Sequence, residues 1–557
     1  WCAPRSINML DVCRIRDTMM QEQKKQPISM AETSDVKLHI AMFPWLAFGH
    51  LIPFLELAKL MASKGHNISF ISTPRNIDRI PKIPQTLSHF ISFIKIDLPK
   101  VENLPENAES TRDLPANKVP YLKIACDGLK IPMLDFLNNN NTSLDWIICD
   151  FATYWLGQIA ADHGVRTAYF SVYPALFLGF FGTPDTAMYG DADRASHEEF
   201  IKLPKWVPFE SQVRACLFQL TRIPRNSTLG IKNVRDPYRL GATIRGCDAV
   251  IVRSSLGFEP DWLNLLKELY QKPVIPVGLL PTEANDDDYS DDSINASWLE
   301  TKQWLDKHEK GSVVYIAFGT ETKPSQYELT QLALGLELSG LPFYWVLIDQ
   351  RGLSDDEVLE LPIGFEERTR GRGVVCRSWA PQFKIVSHDS VGGLLIHSGM
   401  SSVVEGLQLG KPLVLLPFMI DQGLIASYLV EKKMACMVHR EDVDGLFTPE
   451  LVADSLSLVM VKEDGKMYRE KAKEMMCLFG NRDVQDKYLA ELMHFLQKRK
   501  GAVGIVCLLC GLLECCWACS NWNKGFGIGC IEQWVLFSSV TTPDLVKEQA
   551  LVIHFFV

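Results

Sequence analysis

Two polar residues of this 557-residue chain follow strand-like runs and are of types that move protons. His50 lies in the predicted loop after KLHIAMFPW, and Asp150 ends the run WIICD one hundred residues later. Histidine exchanges a proton near neutral pH, and a carboxylate beside it orients the ring and stabilises the imidazolium. On position alone, His50 also fits an ordinary loop residue and Asp150 a helix N-cap. Both interpretations stay open at this point.

A second candidate site lies where a predicted strand ends at His397 and a loop carries Gly399. A helix is predicted to start near Ser402, and backbone N–H groups at a helix start bind anions. A diphosphate therefore fits this loop. The alternative for Ser402 and Glu405 is a helix capping box, because S-V-V-E has that pattern.

Alternating strand and helix patterns predict the α/β class with two Rossmann-like domains. The first begins at Lys37 with a strand, a helix that carries Pro53 in its first turn, and a second strand. Further strands are predicted at 146–149, 167–171, 248–252, 312–318, 343–348, 391–396 and 412–418. Helical patterns over 448–460, 466–479 and 482–499 close the body. Because ligands of open α/β sheets bind outside the carboxyl ends of the strands, the active site should lie between the domains.

An acidic, proline-containing segment divides these two patterns. We assign residues 30–275 to the N-terminal domain, 276–300 to a linker and 301–500 to the C-terminal domain. Residues 1–29 contain no apolar run of signal-peptide length and are predicted to be extraneous, with a natural start at Met30.

Residues 501–557 differ sharply in composition from the charged helix before them and hold six of the fifteen cysteines. We predict that this tail is non-native read-through sequence. A zinc knuckle on its paired cysteines and a weak membrane association through its apolar run are the alternatives.

Charge and motif content exclude several classes of function. The net charge is -10 and no basic block is larger than Lys498 to Lys500, which disfavours nucleic acid as a partner. No GxGxxG follows a strand and no GxxxxGK[ST] occurs, which disfavours dehydrogenases and P-loop enzymes. No carboxylate or histidine cluster indicates a metal site. With no secretory signal and scattered cysteines, we predict a cytoplasmic protein, and we expect a monomer.

The segment WAPQFKIVSHDSVGGLLIHSGMSSVVEGLQLGKPLVLLPFMIDQ, from Trp379 to Gln422, resembles the signature box of plant secondary-product UDP-glycosyltransferases, plant family 1. It matches the forty-four positions of that box without a gap, and the wider resemblance covers residues 37 to about 499. The resemblance implies the GT-B fold, in which two Rossmann-like domains face each other across a cleft. It also implies a UDP-sugar donor on the second domain, a small-molecule acceptor on the first, and inverting transfer without a metal or other cofactor.

The resemblance assigns a role to each matching residue. His50 in AFGHLIP corresponds to the catalytic base and Asp150 to the carboxylate that orients it. Trp379 would stack on uracil with Gln382 nearby, although a core aromatic is the alternative for the tryptophan; Glu405 would bind the ribose. The full donor set is Thr320, Trp379, Ala380, Gln382, His397, Gly399, Met400, Ser401, Ser402, Glu405, Asp421 and Gln422. Within that set the resemblance places His397, Ser402 and Thr320 on phosphate oxygens, and Asp421 and Gln422 on the sugar. Apolar residues proposed to line the acceptor cleft are Trp45, Phe48 and Tyr154.

The box departs from the usual His-Cys-Gly-Trp-Asn-Ser at three positions: it reads His397-Ser398-Gly399-Met400-Ser401-Ser402. The serines resemble the branch of sugar-on-sugar transferases for flavonoids and triterpenoids, many of them rhamnosyltransferases. Met400 replaces a tryptophan that shapes the sugar pocket, so donor preference or rate is expected to change.

The final Gln of the box favours glucose, whereas the branch favours rhamnose, so the donor stays open between UDP-rhamnose and UDP-glucose. The expected reaction is transfer onto a hydroxyl, preferentially a sugar hydroxyl, of a flavonoid or terpenoid glycoside. A non-catalytic UDP-sugar-binding protein or inactive gene product is the alternative, and a UDP-sugar epimerase is a weaker one.

Overall fold

The central strands of this protein are continuous apolar runs, as expected of parallel strands that are covered on both faces. The computed structural model describes residues 36–140, 144–222, 233–282, 292–319, 322, 324–348, 359–378 and 380–499. All four residues of WIIC and all five of VVYIA are buried there. These runs form the centres of two separate sheets.

The first sheet has seven strands, all paired in parallel, in the order β3-β2-β1-β4-β5-β6-β7. They are β1 (His39–Phe43), β2 (Asn67–Ser72), β3 (Ile91–Lys95), β4 (Trp146–Cys149), β5 (Arg166–Ser171), β6 (Ala249–Val252) and β7 (Val274–Pro276).

The second sheet has six parallel strands in the order β10-β9-β8-β11-β12-β13. They are β8 (Val313–Ala317), β9 (Phe343–Val346), β10 (Gly373–Cys376), β11 (Val391–Ile396), β12 (Leu413–Leu415) and β13 (Ala435–Met437). Two parallel α/β sheets confirm the predicted fold class.

Helices connect the strands of both sheets. In the first half they are α1 (Phe48–Ser63), α2 (Pro74–Arg79), α3 (Val119–Gly128), α4 (Lys130–Asn140), α5 (Leu156–Asp162), α6 (Ala175–Phe181), α7 (Pro184–Tyr189), α8 (His197–Phe200), α9 (Leu217–Thr221), α10 (Asp236–Gly246) and α11 (Pro260–Tyr270). In the second half they are α12 (Asp292–Leu305), α13 (Gln326–Ser339), α14 (Phe365–Arg368), α15 (Gln382–Ser387), α16 (Met400–Gln408), α17 (Ile420–Glu431), α18 (Pro449–Met460), α19 (Lys466–Phe479) and a last helix, α20, over 482–499.

Four strands are not predicted by the sequence pattern, and each of them forms an edge of its sheet: β3, β7, β10 and β13. They are three to five residues long, and β10 is only half-buried along its whole length. A strand with a neighbour on one side and partial cover lacks the continuous apolar signal of a central strand. β7 lies at the boundary between the predicted N-terminal domain and the predicted linker, and its last residue, Pro276, is the first residue of that linker.

The first helix begins earlier than predicted. α1 starts at Phe48, so Pro53 lies inside the helix rather than in its first turn. His50 is consequently the third residue of α1, and its predicted position in a loop is wrong. As an interior proline, Pro53 lacks the N–H that would otherwise donate to the backbone carbonyl of Gly49.

Candidate active site

His50 and Asp150 come together at the carboxyl edge of the first sheet. β1 and β4 pair in parallel, and the sheet order changes direction between them, so the residues that follow both strands meet at this switch point. His50 Nδ1 lies 2.7 Å from Asp150 Oδ2, and the two residues are 7% and 1% exposed. The spacing of one hundred residues in sequence is thus a direct contact in space.

Backbone groups hold the Asp150 carboxylate in place. The backbone N–H of Trp45 donates to Oδ2 at 3.1 Å, and that of Phe151 donates to Oδ1 at 2.7 Å. The second of these bonds caps the short 3-10 helix Phe151–Thr153, so the N-cap interpretation of Asp150 holds alongside the contact with His50. A carboxylate that accepts three hydrogen bonds presents its oxygen in one fixed direction.

This arrangement determines which nitrogen of His50 is basic. An ionised carboxylate only accepts hydrogen bonds, so Nδ1 carries the proton and Nε2 carries the lone pair. Nε2 faces the hydroxyl of Tyr173 at 3.4 Å, and burial keeps that phenol neutral by raising its pKa. The Tyr173 ring stacks on Phe177 with centroids 4.3 Å apart. His50 therefore presents a proton acceptor toward a partly apolar space.

The second sheet repeats this geometry. β8 and β11 are its adjacent central strands, and the segments that follow them carry Gly319 and His397. The ring of His397 packs against the backbone of Gly319 and of Gly399. A Cβ atom added to Gly319 would lie 3.0 Å from the ring, and one added to Gly399 would lie closer to it still. Burial lowers the pKa of His397 to about 4, so its imidazole is neutral at physiological pH. Its Nδ1 is buried and has no hydrogen-bond partner within the described residues.

Helix α16 begins two residues before the predicted start. Gly399 is its N-cap residue, and no side chain caps it, so the capping-box interpretation of Ser402 and Glu405 is wrong. Ser398 has a φ of +70°, a left-handed conformation that is strained for serine. This sharp turn points the first N–H groups of α16 outward from β11, where an anion would bind. Met400 and Ser402 are both buried in the first turn.

Glu405 is bonded to residues from two other segments. Its carboxylate accepts from Gln382 Nε2 and, at 3.3 Å, from Thr282 Oγ1. Burial raises the pKa of Glu405 above its ordinary value. Gln382 Oε1 in turn accepts from the Tyr315 hydroxyl at 3.2 Å. Gln382 and Glu405, both members of the predicted donor set, are therefore in contact, within a network to which four segments of the chain contribute.

The two residues predicted to bind the sugar lie at the start of α17. Gln422 is 3% exposed, and its Oε1 accepts from the N–H groups of Phe418 and Met419 at 2.9 and 3.2 Å. Its Nε2 donates to Thr322 Oγ1 at 3.2 Å, so most of the amide is already occupied. Asp421 is half-buried beside the first site. Burial raises its pKa to about 6, and the nearby His50 opposes that shift.

The three predicted acceptor residues differ in exposure. Trp45 is 4% exposed and packs edge-on against Phe151, so little of its ring is available. The half-buried ring of Phe48 has the guanidinium groups of Arg79 and Arg112 at 5.3 and 5.7 Å from its centroid. Half-buried Tyr154 contacts Tyr238 and Arg239.

Two predicted donor residues, Thr320 and Trp379, lie outside the described residues. Ala380 is described and is buried next to that gap. Sequence reasoning missed Tyr173, Arg253 and Thr282, each of which bonds to a predicted site residue. Tyr173 and Arg253 lie just beyond β5 and β6, and that position was the available signal. Thr282 follows β7, which the sequence pattern does not predict, so no sequence signal was available for it.

Comparison with known proteins identifies the family of the chain. The profile described as UDP-glucoronosyl and UDP-glucosyl transferase matches residues 294–503. UDP-glycosyltransferase 91A1 of Arabidopsis thaliana is 49% identical over 83% of this chain and 97% of its own length. The chain belongs to the UDP-glycosyltransferase family. Soyasaponin III rhamnosyltransferase of Glycine max is 41% identical to this glycosyltransferase over 84% of the chain and 97% of the relative.

The solved structures have the same GT-B architecture as this glycosyltransferase. The crystal structure of Arabidopsis thaliana UGT89C1 complexed with UDP-L-rhamnose superposes with a TM-score of 0.63 at 22% identity, covering 83% of this chain and all of that one. Within the residues described for this enzyme, no group of three or more His, Cys, Asp or Glu side chains is placed to hold a metal ion. No helix in the same residues is long and apolar enough to cross a membrane.

Proposed function

We propose that this enzyme transfers rhamnose or glucose from its UDP-sugar, with inversion and without a metal, onto a hydroxyl of a flavonoid or terpenoid glycoside. The observation that carries the proposal is the contact of 2.7 Å between His50 Nδ1 and Asp150 Oδ2 at the switch point of the first sheet. Nε2 is then the nitrogen of His50 that carries the lone pair.

In the proposed reaction, His50 Nε2 takes the proton of the acceptor hydroxyl as the oxygen attacks the anomeric carbon. The bond between that carbon and the UDP oxygen breaks, and UDP leaves with the bonding electron pair. Asp150 stabilises the imidazolium that forms, because its negatively charged carboxylate already accepts a hydrogen bond from the Nδ1–H group. Attack opposite to the departing UDP inverts the anomeric centre.

The donor would lie over the second sheet. The N-terminus of α16 favours the diphosphate, and a neutral His397 beside it still offers a nitrogen for hydrogen bonding. Asp421, whose pKa is influenced by His50, would bind the hydroxyls of the transferred sugar. The similarity to a soyasaponin rhamnosyltransferase favours UDP-rhamnose as the first donor to test, and the signature-box glutamine, Gln422, favours UDP-glucose as the second.

The test is product formation by the purified 557-residue chain with each donor and a panel of flavonoid and terpenoid glycosides, followed by mass spectrometry. We expect a product with one added sugar, at a rate that excess EDTA leaves unchanged. His50→Ala should lower kcat at least about a hundredfold, because it removes the general base.

The matched control is His439→Gln, which changes a histidine whose side chain is 70% exposed and should leave the rate unchanged. Equal rates for wild type and His50→Ala would refute the assigned base. Loss of activity on chelation would refute metal independence, and absence of product from every pair would favour a UDP-binding protein without turnover.

A further inference from the structure

A buried arginine from the first half of the chain reaches the donor helix of the second half. Arg253 follows β6 directly and is 4% exposed. Its Nη1 donates to Ser401 Oγ at 2.9 Å, and its Nε donates to the backbone carbonyl of Leu279 at 2.9 Å. Nη2 makes a longer contact of 3.5 Å with the carbonyl of Leu280. The guanidinium thus joins the segment 277–282, which follows β7 and is called the crossover segment below, to the first turn of α16.

No carboxylate lies within ion-pair distance of Arg253 in the part of the chain that the structure describes. Glu405 and Glu56 favour its charged form only through longer-range electrostatic attraction. Burial lowers the pKa of Arg253 to about 10, which leaves the guanidinium protonated at neutral pH. A buried positive charge without a paired carboxylate adds to the positive potential at the start of α16.

One face of α16 forms hydrogen bonds with Arg253 and with the crossover segment. Ser401, Glu405 and Gln408 recur at helical spacing, and each bonds across to Arg253 or Thr282. Gln408 both accepts from the Thr282 N–H and donates to the Thr282 carbonyl at 3.0 Å. The orientation of the donor helix therefore depends on contacts that come from outside the second sheet.

The chemistry of the two groups determines the direction of the Ser401 hydroxyl. A guanidinium has donors only, so in this contact Ser401 Oγ must accept. Its own proton is then left to donate elsewhere, and the first N–H groups of α16, where Ser401 is the second residue, have no acceptor within the helix. An oxyanion at the start of α16 would receive both kinds of donor.

We propose that Arg253 is a positioning residue for the donor substrate, and that it turns the Ser401 hydroxyl into a hydrogen-bond donor to the diphosphate of bound UDP. The proposal rests on the placement of the UDP-sugar proposed above. It differs from the roles assigned through the signature box because Arg253 lies outside the box, on the other half of the chain.

The experiment measures the Kd of UDP by isothermal titration calorimetry for the 557-residue enzyme and three variants: Arg253→Met, Ser401→Ala and the double variant. A charge-assisted hydrogen bond of this kind corresponds to about a tenfold change in Kd or more. Each single change should weaken UDP about tenfold. The double change should weaken it no further than either single one, because both act through the same hydroxyl.

Gln408→Ala is the matched control, since it breaks the same interface at the far end of α16 and should change the Kd less than twofold. An unchanged Kd in Arg253→Met, or a double variant whose loss is the product of the single losses, would overturn the proposal. An equal loss in Gln408→Ala would assign the effect to general loosening of the interface. If Arg253→Met fails to fold, Arg253→Lys replaces it, because lysine keeps the charge but cannot reach all the acceptors at once.

This readout is separate from the transfer reaction. If the wild type binds UDP but forms no product with any acceptor, the proposed function fails, while the Kd values of the single and double variants still test the role of Arg253. If product forms and the double variant's loss of UDP affinity is the product of the two single losses, the proposed function stands and the role of Arg253 fails.

Discussion

At the scale of single residues, the proposed base is defined by what surrounds it rather than by its own type. Asp150 accepts a hydrogen bond from Nδ1 of His50, and the hydroxyl of Tyr173 lies 3.4 Å from Nε2. That distance is long for a hydrogen bond between oxygen and nitrogen, so the contact is weak in the free enzyme. An acceptor hydroxyl that approaches Nε2 would enter this space and find the phenol as a second partner.

We therefore expect Tyr173→Phe to raise the KM for the acceptor about fivefold while kcat changes less than twofold. The phenyl ring keeps the stack on Phe177, and only the hydrogen bond to the acceptor is lost. Steady-state kinetics at saturating UDP-sugar measure both constants. Tyr189→Phe, at a tyrosine that is 66% exposed, is the control. An unchanged acceptor KM in Tyr173→Phe would mean that the hydroxyl does not contact the acceptor.

At the scale of secondary-structure elements, α6 supports this corner of the site. The buried carboxylate of Glu259 accepts from the first N–H groups of α6, Ala175 at 2.6 Å and Leu176 at 2.9 Å. α6 in turn carries Phe177, on which Tyr173 stacks. A helix cap made by a side chain that is 84 residues away in sequence thus shapes the proposed acceptor side.

Glu259 should make the stability of the enzyme depend on pH. Burial raises the pKa of Glu259 from 4.5 to about 7, so the native state holds the proton more tightly than the unfolded chain. Its contribution is greatest below about pH 4.5 and is lost as the pH rises toward 7. Each unit of pKa difference corresponds to about 1.4 kcal/mol, which sets the scale at a few kcal/mol at most.

Glu259→Gln removes this titration. Measured as Tm between pH 5 and pH 8, the difference between wild type and variant should shift in favour of the variant as the pH rises. Glu268→Gln, at an exposed position on the same helix α11, should give a difference that does not vary with pH. Parallel Tm curves for wild type and Glu259→Gln would contradict the raised pKa.

At the scale of the whole molecule, one buried carboxylate ties a segment of the first half to the body of the second. Glu328, at the start of α13, is 2% exposed and bonds to Arg440 and, at 2.5 Å, to Arg222 beyond α9. Burial alone would raise the pKa of Glu328, but the two guanidinium groups hold it below its ordinary value. Ser211 and Arg214 add further bonds to the second half, through Glu431 and Asp442.

Glu328→Gln should lower the free energy of unfolding by about 3–5 kcal/mol, because it leaves two arginines without their shared counter-charge. Urea unfolding followed by circular dichroism measures this change. Glu337→Gln on the same helix breaks the pair with Arg368, which is more exposed, and should cost less than about 1 kcal/mol. Similar losses in both variants would show that the buried cluster is not a special support of the fold.

The sequence alone was sufficient for the features that depend on local pattern. Continuous apolar runs predict the central strands of both sheets, because a parallel strand that is covered on both faces needs nonpolar side chains throughout. In each sheet, the residues that follow adjacent central strands converge at the carboxyl edge of that sheet. The sequence therefore predicts His50, Asp150 and His397 as site residues. Family resemblance supplied the roles that spacing could not.

Only the tertiary structure decided which groups face each other. The edge strands, the start of α1 before His50 and the start of α16 at Met400 depend on how the chain packs, and local propensity is too weak to place them. The contacts of Arg253 with Ser401 and of Thr282 with Glu405 join residues 148 and 123 positions apart. No periodicity in the sequence reports such pairs, since their geometry follows from packing one half of the chain against the other.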